Sequence, residues 1–327
     1  MTEIRPILLV GLLLLCLHQP LHAQQRIVVA QDGSGDYSTI QDAVDATRDL
    51  GPPYIVYIHN GIYLENLEIP SWKRQLTLIG ESREGTIIRG DRHAGQIAPN
   101  GKPRTTFDSH TVLVEGDDIH LKNLTIENTS CDRGQAVALH VEGDRFIAED
   151  CNILGCQDSL YAANGGSRQY YVDCLIAGTT DFIFGQATAV FENCEIRSLR
   201  DSYITAAATP REQDFGLVFL DCRLTAGEGV SKVYLGRPWR PFAKTVLINS
   251  ELGGHIRPEA WHPWPGDPMY PDKEKTAYYA EYNNKGEGAR PESRVSWSHQ
   301  LSNRELKKYT KENIFKGWYP LENNKIR

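Results

Sequence analysis

The stretch that decides the fold is DCNILGCQDSLYAANGGSRQYYVDCLIAGTTDFIFG, which covers residues 150–185. It contains one four-residue unit twice, at 150–153 and 173–176. Related units of Asn or Asp, a small or apolar residue, any residue and Ile or Leu begin at residues 123, 150, 173, 193, 221 and 249. Strand-like units with spacings of 20 to 28 residues indicate an all-β solenoid, whose stacked coils bury a face that one coil cannot bury alone. The leading Asn or Asp fits a coil corner, because both residues tolerate a left-handed backbone.

The repeat also predicts where two carboxylates lie. Asp158 follows Asp150 by eight residues, and Asp181 follows Asp173 by the same interval. Equal offsets in consecutive coils place Asp158 and Asp181 at the same point of one face, one coil apart. Two like charges at that distance do not both ionise freely, so one pKa is expected to rise unless a cation intervenes. Such a pair can perform acid, base or nucleophilic chemistry.

The cysteines follow the same repeat in part. Six of them lie beyond residue 23, at positions 131, 151, 156, 174, 194 and 222. Those at 151, 174, 194 and 222 share the second position of the unit and are expected to stack as small buried side chains. Cys174 and Cys194, on adjacent coils about 4.8 Å apart, could instead form a disulfide. No CxxC pair or Cys/His cluster has the spacing of a zinc site, so no metal is predicted.

The composition and the start of the chain limit the partners. The 327 residues carry a formal net charge of −7, which argues against nucleic acid or an anionic membrane as partner, because both require concentrated Lys and Arg. Residues 1–23 combine Arg5, an apolar run too short to span a bilayer and the ending Leu21-His22-Ala23. This pattern predicts a signal peptide cleaved near Ala23. We expect one domain over residues 24–327, secreted or periplasmic and monomeric.

Both ends of the solenoid are predicted to carry helical segments. Ser38 and Gln41 form a capping-box pattern ahead of apolar residues, which predicts a short helix that covers the first coil. Residues 302–327 predict a surface helix followed by an aromatic anchor at Trp318 and Tyr319.

Short motifs elsewhere are weak when each is taken alone. Gln135 lies in GQAVAL and Arg237 in YLGRPW. An Arg in such a position is often part of a structural ion pair, and a Gln is often an ordinary surface amide. The aromatic residues nearby could belong to the core or to a rim. The spacing of these motifs identifies no substrate.

Together, however, the motifs resemble those of the pectin methylesterases, carbohydrate esterases built on a right-handed parallel β-helix. The matching strings are VAQDGSGDYSTIQDAV (29–44), GIYLE (61–65), GQAVAL (134–139), GCQDSLY (155–161), DFIFG (181–185) and LGRPW (235–239). They cover most of the chain beyond the predicted signal peptide. The resemblance therefore implies a right-handed parallel β-helix with this activity.

The resemblance also implies a role for each matched residue. Asp181 would be the nucleophile, and Asp158 the general acid that later acts as base. Gln135 and Gln157 would stabilise the oxyanion, and Arg237 would hold Asp181 ionised and oriented. No cofactor or metal is implied.

Four aromatic residues are expected to bind the sugar: Trp239, Phe182, Trp261 and Tyr161. The segment TTFDSH at 105–110 resembles the family only loosely and receives no role.

The resulting hypothesis is hydrolysis of the methyl esters of galacturonate units in pectin, a methyl-esterified homogalacturonan, through an aspartyl acyl-enzyme. Two alternatives remain open from the sequence. One is another pectin-active β-helix enzyme, either a calcium-dependent lyase or a polygalacturonase with paired carboxylates. The other is a β-helix that binds glycans without catalysis, in which Asp158, Asp181 and Arg237 would be incidental.

Overall fold

The computed structural model describes residues 25–321. The predicted signal peptide at 1–23 lies outside this range, so its cleavage near Ala23 and the domain start at residue 24 stay predictions. No helix within the described range is both long and apolar enough to cross a bilayer.

The chain winds as a right-handed parallel β-helix, which confirms the predicted fold. Each complete coil passes in turn through three parallel sheets, called A, B and C here, and neighbouring strands in a sheet come from successive coils. Sheet A contains β1 (Gln25–Val29), β2 (Tyr54–Ile58), β5 (Leu76–Gly80), β8 (His120–Lys122), β11 (Phe146–Glu149), β14 (Arg168–Val172), β17 (Thr188–Glu192), β20 (Leu217–Leu220), β23 (Lys244–Ile248), β25 (Tyr278–Tyr282) and β26 (His299–Gln300). Sheet B contains β3 (Gly61–Tyr63), β6 (Thr86–Gly90), β9 (Thr125–Asn128), β12 (Asn152–Leu154), β15 (Leu175–Gly178), β18 (Glu195–Ser198), β21 (Arg223–Ala226) and β24 (Glu251–Leu252). Sheet C contains β4 (Leu67–Ile69), β7 (Val112–Val114), β10 (Leu139–Val141), β13 (Leu160–Ala162), β16 (Ile183–Gly185), β19 (Tyr203–Ala207) and β22 (Tyr234–Gly236).

The corners between sheets A and B are formed by the repeated Asn and Asp residues. All six have a left-handed backbone, with φ of 56° at Asn123, 51° at Asp150, 55° at Asp173, 53° at Asn193, 52° at Asp221 and 55° at Asn249. Asn and Asp adopt this conformation at lower cost than other residues with a Cβ. The prediction that these positions turn the coil is confirmed.

The core consists of side chains that stack from coil to coil. Tyr171, Phe191 and Phe219 form one column on sheet A, with successive ring centroids 4.8 and 4.6 Å apart. A second column contains the free, buried cysteines Cys151, Cys174, Cys194 and Cys222. Cys174 and Cys194 form no disulfide, and each thiol instead lies 3.3 to 3.4 Å from backbone carbonyl oxygens at the ends of sheet A strands. The alternative of a Cys174–Cys194 bridge is therefore wrong, and the disulfide lies instead between Cys131 and Cys156.

The N-terminal helix α1 (Ile40–Ala46) covers the first coil as predicted, with a different cap. Thr39, not Ser38, is the N-cap, and its hydroxyl accepts from the Asp42 amide. The carboxylate of Glu65 accepts the amides of Ile40 and Gln41 at 3.0 Å each. This anion therefore satisfies donors at the positive end of the helix.

The C-terminal segment packs on the outer face of sheet A. It forms two short helices, α2 (Asn303–Leu306) and α3 (Lys311–Phe315), rather than the single predicted helix. Phe315 of α3 is fully buried and meets Tyr170 of β14 edge to face, with centroids 5.8 Å apart. Three turns of 3₁₀ helix complete the described elements, at Thr106–Asp108, Lys273–Lys275 and Pro291–Ser293.

Candidate active site

A cleft lies on the outer face of sheet C. The residues that line it are Thr106, Phe107, Gln135, Gln157, Asp158, Asp181, Phe184, Ala206, Arg237, Trp239 and Trp264. Phe184 lies on β16, Ala206 lies on β19, and Arg237 directly follows β22. Asp158 and Asp181 lie two residues before β13 and β16, so stacked strands fix the positions of these side chains. The cleft is thus built on the rigid part of the fold.

The two carboxylates lie at matching points of consecutive coils. The ladder between β13 and β16 pairs Leu160 with Ile183, so Asp158 and Asp181, two residues before each, occupy equivalent positions. Both have left-handed backbones, with φ of 67° and 48°. This agrees with the placement predicted from the repeat.

Backbone hydrogen bonds hold both aspartates in place. The Asp158 amide donates to the Thr180 carbonyl at 3.1 Å, and the Asp181 amide donates to the Tyr203 carbonyl at 2.8 Å. Both side chains are buried, with Asp158 8% and Asp181 5% exposed. Two carboxyl groups therefore share a small volume that has little access to water.

Arg237 forms a bidentate ion pair with Asp181. Its Nε lies 3.0 Å from Oδ1 and its Nη2 lies 2.6 Å from Oδ2. The guanidinium lies against two aromatic rings, with Cζ 4.0 Å from the Tyr203 centroid and 3.6 Å from the Trp264 centroid. The stacking on these rings and the two parallel hydrogen bonds to Asp181 together restrict the guanidinium to one orientation. Arg237 therefore fixes the rotamer of Asp181 and favours its ionised form.

The two carboxyl groups differ in proton affinity. Burial raises the pKa of Asp158 well above its ordinary value, and the neighbouring charge of Asp181 raises it further. Burial also raises the pKa of Asp181, while the hydrogen bonds and charge of Arg237 oppose that rise. The pKa of Asp181 is thus raised although Arg237 pairs with it, because burial outweighs the pairing. The proton nevertheless goes first to Asp158, because Arg237 is paired directly with Asp181.

Two glutamine amides face the same cleft. Gln157 directly precedes Asp158, and Gln135 lies one coil earlier, where the Ala136 amide donates to the Gln157 carbonyl at 3.1 Å. Within residues 25–321, neither side-chain amide has a protein hydrogen-bond partner, whereas both line the cleft. Each can therefore donate to a bound ligand.

An aromatic cluster extends from the carboxylates along the cleft. The rings of Tyr161 and Phe184 stack with centroids 4.5 Å apart, and Trp239 lies 5.8 Å from Phe184. Phe107 is 49% exposed and lies 6.5 Å from Trp239 in a nearly parallel orientation. These ring faces suit the apolar faces of sugar rings.

A buried lysine supports the Trp264 ring that stacks on Arg237. Lys273 is 1% exposed, and its Nζ lies 4.6 Å from the Trp264 centroid and 2.9 Å from Asp267 Oδ2. The Trp264 amide donates to His262 Nδ1 at 3.1 Å. The segment of residues 262–273 thus holds Trp264 against the guanidinium.

The comparisons with known proteins agree with this geometry. The family model described as Pectinesterase matches residues 26–318, which is most of the chain. The chain belongs to the pectinesterase family. Proteins of that name are carboxylic ester hydrolases.

Individual relatives support the assignment at the level of sequence and structure. A probable pectinesterase/pectinesterase inhibitor of Arabidopsis thaliana is 36% identical over 88% of the chain, which spans 50% of that longer relative. The solved structure of pectin methylesterase from carrot has a TM-score of 0.82 and 35% identity, and the match covers 89% of this chain and 93% of that one. A pectin methylesterase solved in complex with a hexasaccharide has a TM-score of 0.79 and 28% identity, covering 91% and 99% of the two chains.

The structure brings most of the predicted site residues together. Asp158, Asp181, Gln135, Gln157 and Arg237 all line the cleft. Trp239 lines it as well, and Tyr161 packs beneath the cluster, with its ring 5.6 Å from Phe107.

Two predicted sugar-binding residues lie in the core instead. Phe182 is fully buried and Trp261 is 1% exposed, so neither can contact a polymer. Phe182 follows the corner residue Asp181 and faces inward, and Trp261 packs on Tyr279 with centroids 4.5 Å apart. The prediction that Phe182 and Trp261 bind sugar is wrong.

The neighbours of these two residues occupy the cleft. Phe184 and Trp264 line it, together with Thr106 and Phe107 from the segment that received no role. The repeat contained a signal for Phe184, because Tyr161 and Phe184 both stand eleven residues after a corner Asp. Thr106 and Phe107 lie outside the repeat, so the repeat could not predict their position in the cleft.

Proposed function

We propose that the chain hydrolyses methyl esters of galacturonate units in methyl-esterified homogalacturonan, releasing methanol and leaving free carboxylates. The observation that carries this proposal is the Asp158–Asp181 pair, in which Arg237 holds one carboxylate by two hydrogen bonds. Membership of the pectinesterase family and the hexasaccharide complex of a relative support the substrate class.

In the first step, the Asp181 carboxylate attacks the ester carbonyl carbon. Arg237 keeps this carboxylate ionised and aimed, although burial raises its pKa. The carbonyl oxygen becomes an oxyanion, and the amides of Gln135 and Gln157 donate hydrogen bonds to it. Donors that are in place before charge develops are each typically worth about 10² to 10³ in rate.

Asp158 then acts as acid and afterwards as base. Its raised pKa keeps it protonated, and it transfers that proton to the methoxide oxygen as the C–O bond breaks and methanol leaves. An anhydride between Asp181 and the galacturonate carbonyl remains. Asp158, now ionised, takes a proton from water, and the hydroxide attacks the anhydride carbonyl carbon. The product is released as the galacturonic acid, which loses its proton to bulk water, and the Asp181 carboxylate is regenerated while the proton taken from the attacking water stays on Asp158.

We also propose that the chain acts as a monomer outside the cytoplasm, either in a periplasm or after secretion. This follows from the predicted signal peptide and from a polymeric substrate that cells keep outside. The net charge of −7 opposes binding to nucleic acid.

The decisive experiment measures three products from highly methylated pectin. We expect methanol to be released without new reducing ends and without unsaturated products. New reducing ends or unsaturated products without methanol would instead indicate a polygalacturonase or a lyase. No product at all would favour a protein that binds glycan without catalysis.

The nucleophile is tested with Asp181→Asn and a matched control. We expect this variant to lose methanol release by at least about 10⁴-fold while its fold is retained, because an amide cannot form the anhydride. Asp221→Asn is the control, since Asp221 also has a left-handed backbone, with φ of 52°, but lies at a distant corner. Near-normal turnover of Asp181→Asn would overturn the assignment.

A further inference from the structure

The disulfide joins two segments that each present a glutamine to the cleft. Cys131 stands four residues before Gln135, and Cys156 directly precedes Gln157. The two half-cystines are 25 residues apart in sequence, and their Cα atoms lie 5.3 Å apart. The bridge therefore closes one coil of the β-helix at its catalytic face.

The Cys156 side of the bridge is fixed in the wall of the β-helix. Cys156 is 7% exposed. Its carbonyl accepts the Thr179 amide at 2.8 Å and the Ser159 hydroxyl at 3.2 Å. This half-cystine thus shares the rigidity of the stacked coils.

The Cys131 side lies in an exposed loop that has few other anchors. For residues 131–134 of the described chain, the one backbone hydrogen bond is from the Cys131 amide to the Thr129 carbonyl, at 2.9 Å. Asp132 adds an ion pair with Arg200 at 2.6 Å, but both side chains are exposed and such pairs contribute little. The disulfide is therefore the principal restraint on this loop.

Gln135 lies between this loop and the ordered sheet. Its carbonyl accepts the Ala94 amide at 2.8 Å, and the next residue, Ala136, donates to the Gln157 carbonyl at 3.1 Å. The chain is thus held on both sides of the Gln135 side chain, by the bridge before it and by the ladder after it. Removal of the bridge leaves only one side held.

We propose that the Cys131–Cys156 disulfide positions the Gln135 amide for catalysis. The inference rests on the function proposed above, in which Gln135 and Gln157 donate to the oxyanion. Cys131 and Cys156 are positioning residues, because they act through Gln135 without touching the reacting atoms. A misplacement of about 1 Å can cost about 10²-fold in rate.

A double-mutant cycle tests the proposal. The proteins are wild type, Cys131→Ser/Cys156→Ser, Gln135→Ala and the triple variant, each assayed for methanol release from highly methylated pectin. We expect kcat to fall by about 10- to 100-fold without the bridge, with little change in KM. In the Gln135→Ala background the same two serine substitutions should change kcat by less than about two-fold. A purely structural role would lower kcat equally in both backgrounds.

Reduction of the unmodified protein gives a second measurement if the serine variant folds poorly. Dithiothreitol transfers two electrons and two protons to the bridge and becomes a cyclic disulfide, leaving two thiols at Cys131 and Cys156. The thiols of Cys151, Cys174, Cys194 and Cys222 are already free and buried. We expect kcat to fall on reduction and to recover on reoxidation, with far-UV circular dichroism unchanged. Arg200→Ala, which removes the other side-chain contact of the loop, is the matched control and should keep kcat within about two-fold.

The outcomes separate the two proposals. If Gln135→Ala is impaired but protein without the bridge keeps the wild-type kcat, the positioning role is wrong and the proposed function stands. An equal loss in both backgrounds also overturns the positioning role. If Gln135→Ala itself is fully active, the oxyanion assignment fails and this inference fails with it.

Discussion

At the scale of single residues, the Asp181–Arg237 pair determines what the site can do. A buried carboxylate without a cation would take up a proton, and a protonated carboxyl group is a poor nucleophile. Arg237 opposes this with two hydrogen bonds, while Asp158 has no such partner among the described residues. This asymmetry is the reason why we propose Asp181 as nucleophile and Asp158 as acid, although the two residues are of the same type.

Replacement of Arg237 should therefore alter the pH profile as well as the rate. Without the guanidinium, the pKa of Asp181 rises further above its already raised value, so the ionised form requires a higher pH. In Arg237→Ala, we expect the acidic limb of kcat/KM to move to higher pH, and kcat/KM to fall by at least about 10²-fold. Methanol release measured from pH 4 to pH 9 gives both quantities. The apparent pKa values of the profile describe the coupled pair Asp158 and Asp181 rather than either residue alone.

The control for this prediction is Arg304→Ala. Arg304 is exposed on α2, so kcat/KM should stay within about two-fold at every pH. An acidic limb that does not move in Arg237→Ala would contradict the assigned role of Arg237. Equal losses in the two variants would contradict it as well.

Sequence reasoning succeeded at residues whose position the repeat fixes. The equal eight-residue offsets located Asp158 and Asp181 on consecutive coils. The prediction failed at Phe182 because a left-handed residue precedes it. Phe182 and Ile183 therefore both pack in the central core, and the alternation between inward and outward side chains starts only within β16. It failed at Trp261 because the segment that carries Trp264 into the cleft is irregular.

At the scale of elements, the corners decide whether each coil closes. Six Asn or Asp residues adopt the same left-handed conformation where β-strands of sheet A lead to those of sheet B. A β-branched residue there meets a steric penalty that Asn avoids. The corners therefore explain why the repeat unit begins with Asn or Asp.

This interpretation predicts a contrast between two substitutions at one corner. Asp221 is exposed and has φ of 52°, so its effect on the free energy of unfolding comes mainly from its backbone conformation. We expect Asp221→Val to lower the free energy of unfolding by about 1 to 2 kcal/mol, and Asp221→Asn to change it by less than about 0.5 kcal/mol. Urea unfolding followed by tryptophan fluorescence measures both values. Equal stability of the two variants would show that the corner does not require Asn or Asp.

The disulfide could not be predicted because its two cysteines do not follow the repeat. Four of the six cysteines beyond residue 23 share a repeat position, and that register correctly indicated a buried column. Cys131 lies in a loop outside the register, and Cys156 occupies a different position of the coil. The contact between Cys131 and Cys156 depends on the path of that loop, which has no repeated pattern.

At the scale of the whole molecule, the proposed active site and the packing of the C-terminal segment lie on different sheets. The cleft lies on the outer face of sheet C, whereas α3 covers the outer face of sheet A. Between them lies a core of stacked side chains. Substitutions in the interface between α3 and sheet A should therefore change the free energy of unfolding without changing kcat.

Phe315→Ala tests this separation. Phe315 is fully buried and contacts Tyr170 and Trp318, with ring centroids 5.8 and 4.8 Å away. Because truncation of a buried Phe removes apolar contacts and leaves a cavity, we expect the free energy of unfolding to fall by about 3 kcal/mol. Since the cleft is not in contact with α3, kcat should stay within about two-fold at 25 °C. Glu312→Ala, an exposed position of the same helix, should alter stability by less than about 0.5 kcal/mol. A large loss of kcat in folded Phe315→Ala would mean that α3 influences the cleft through the core, and the two sheets would then have to be treated as one coupled unit.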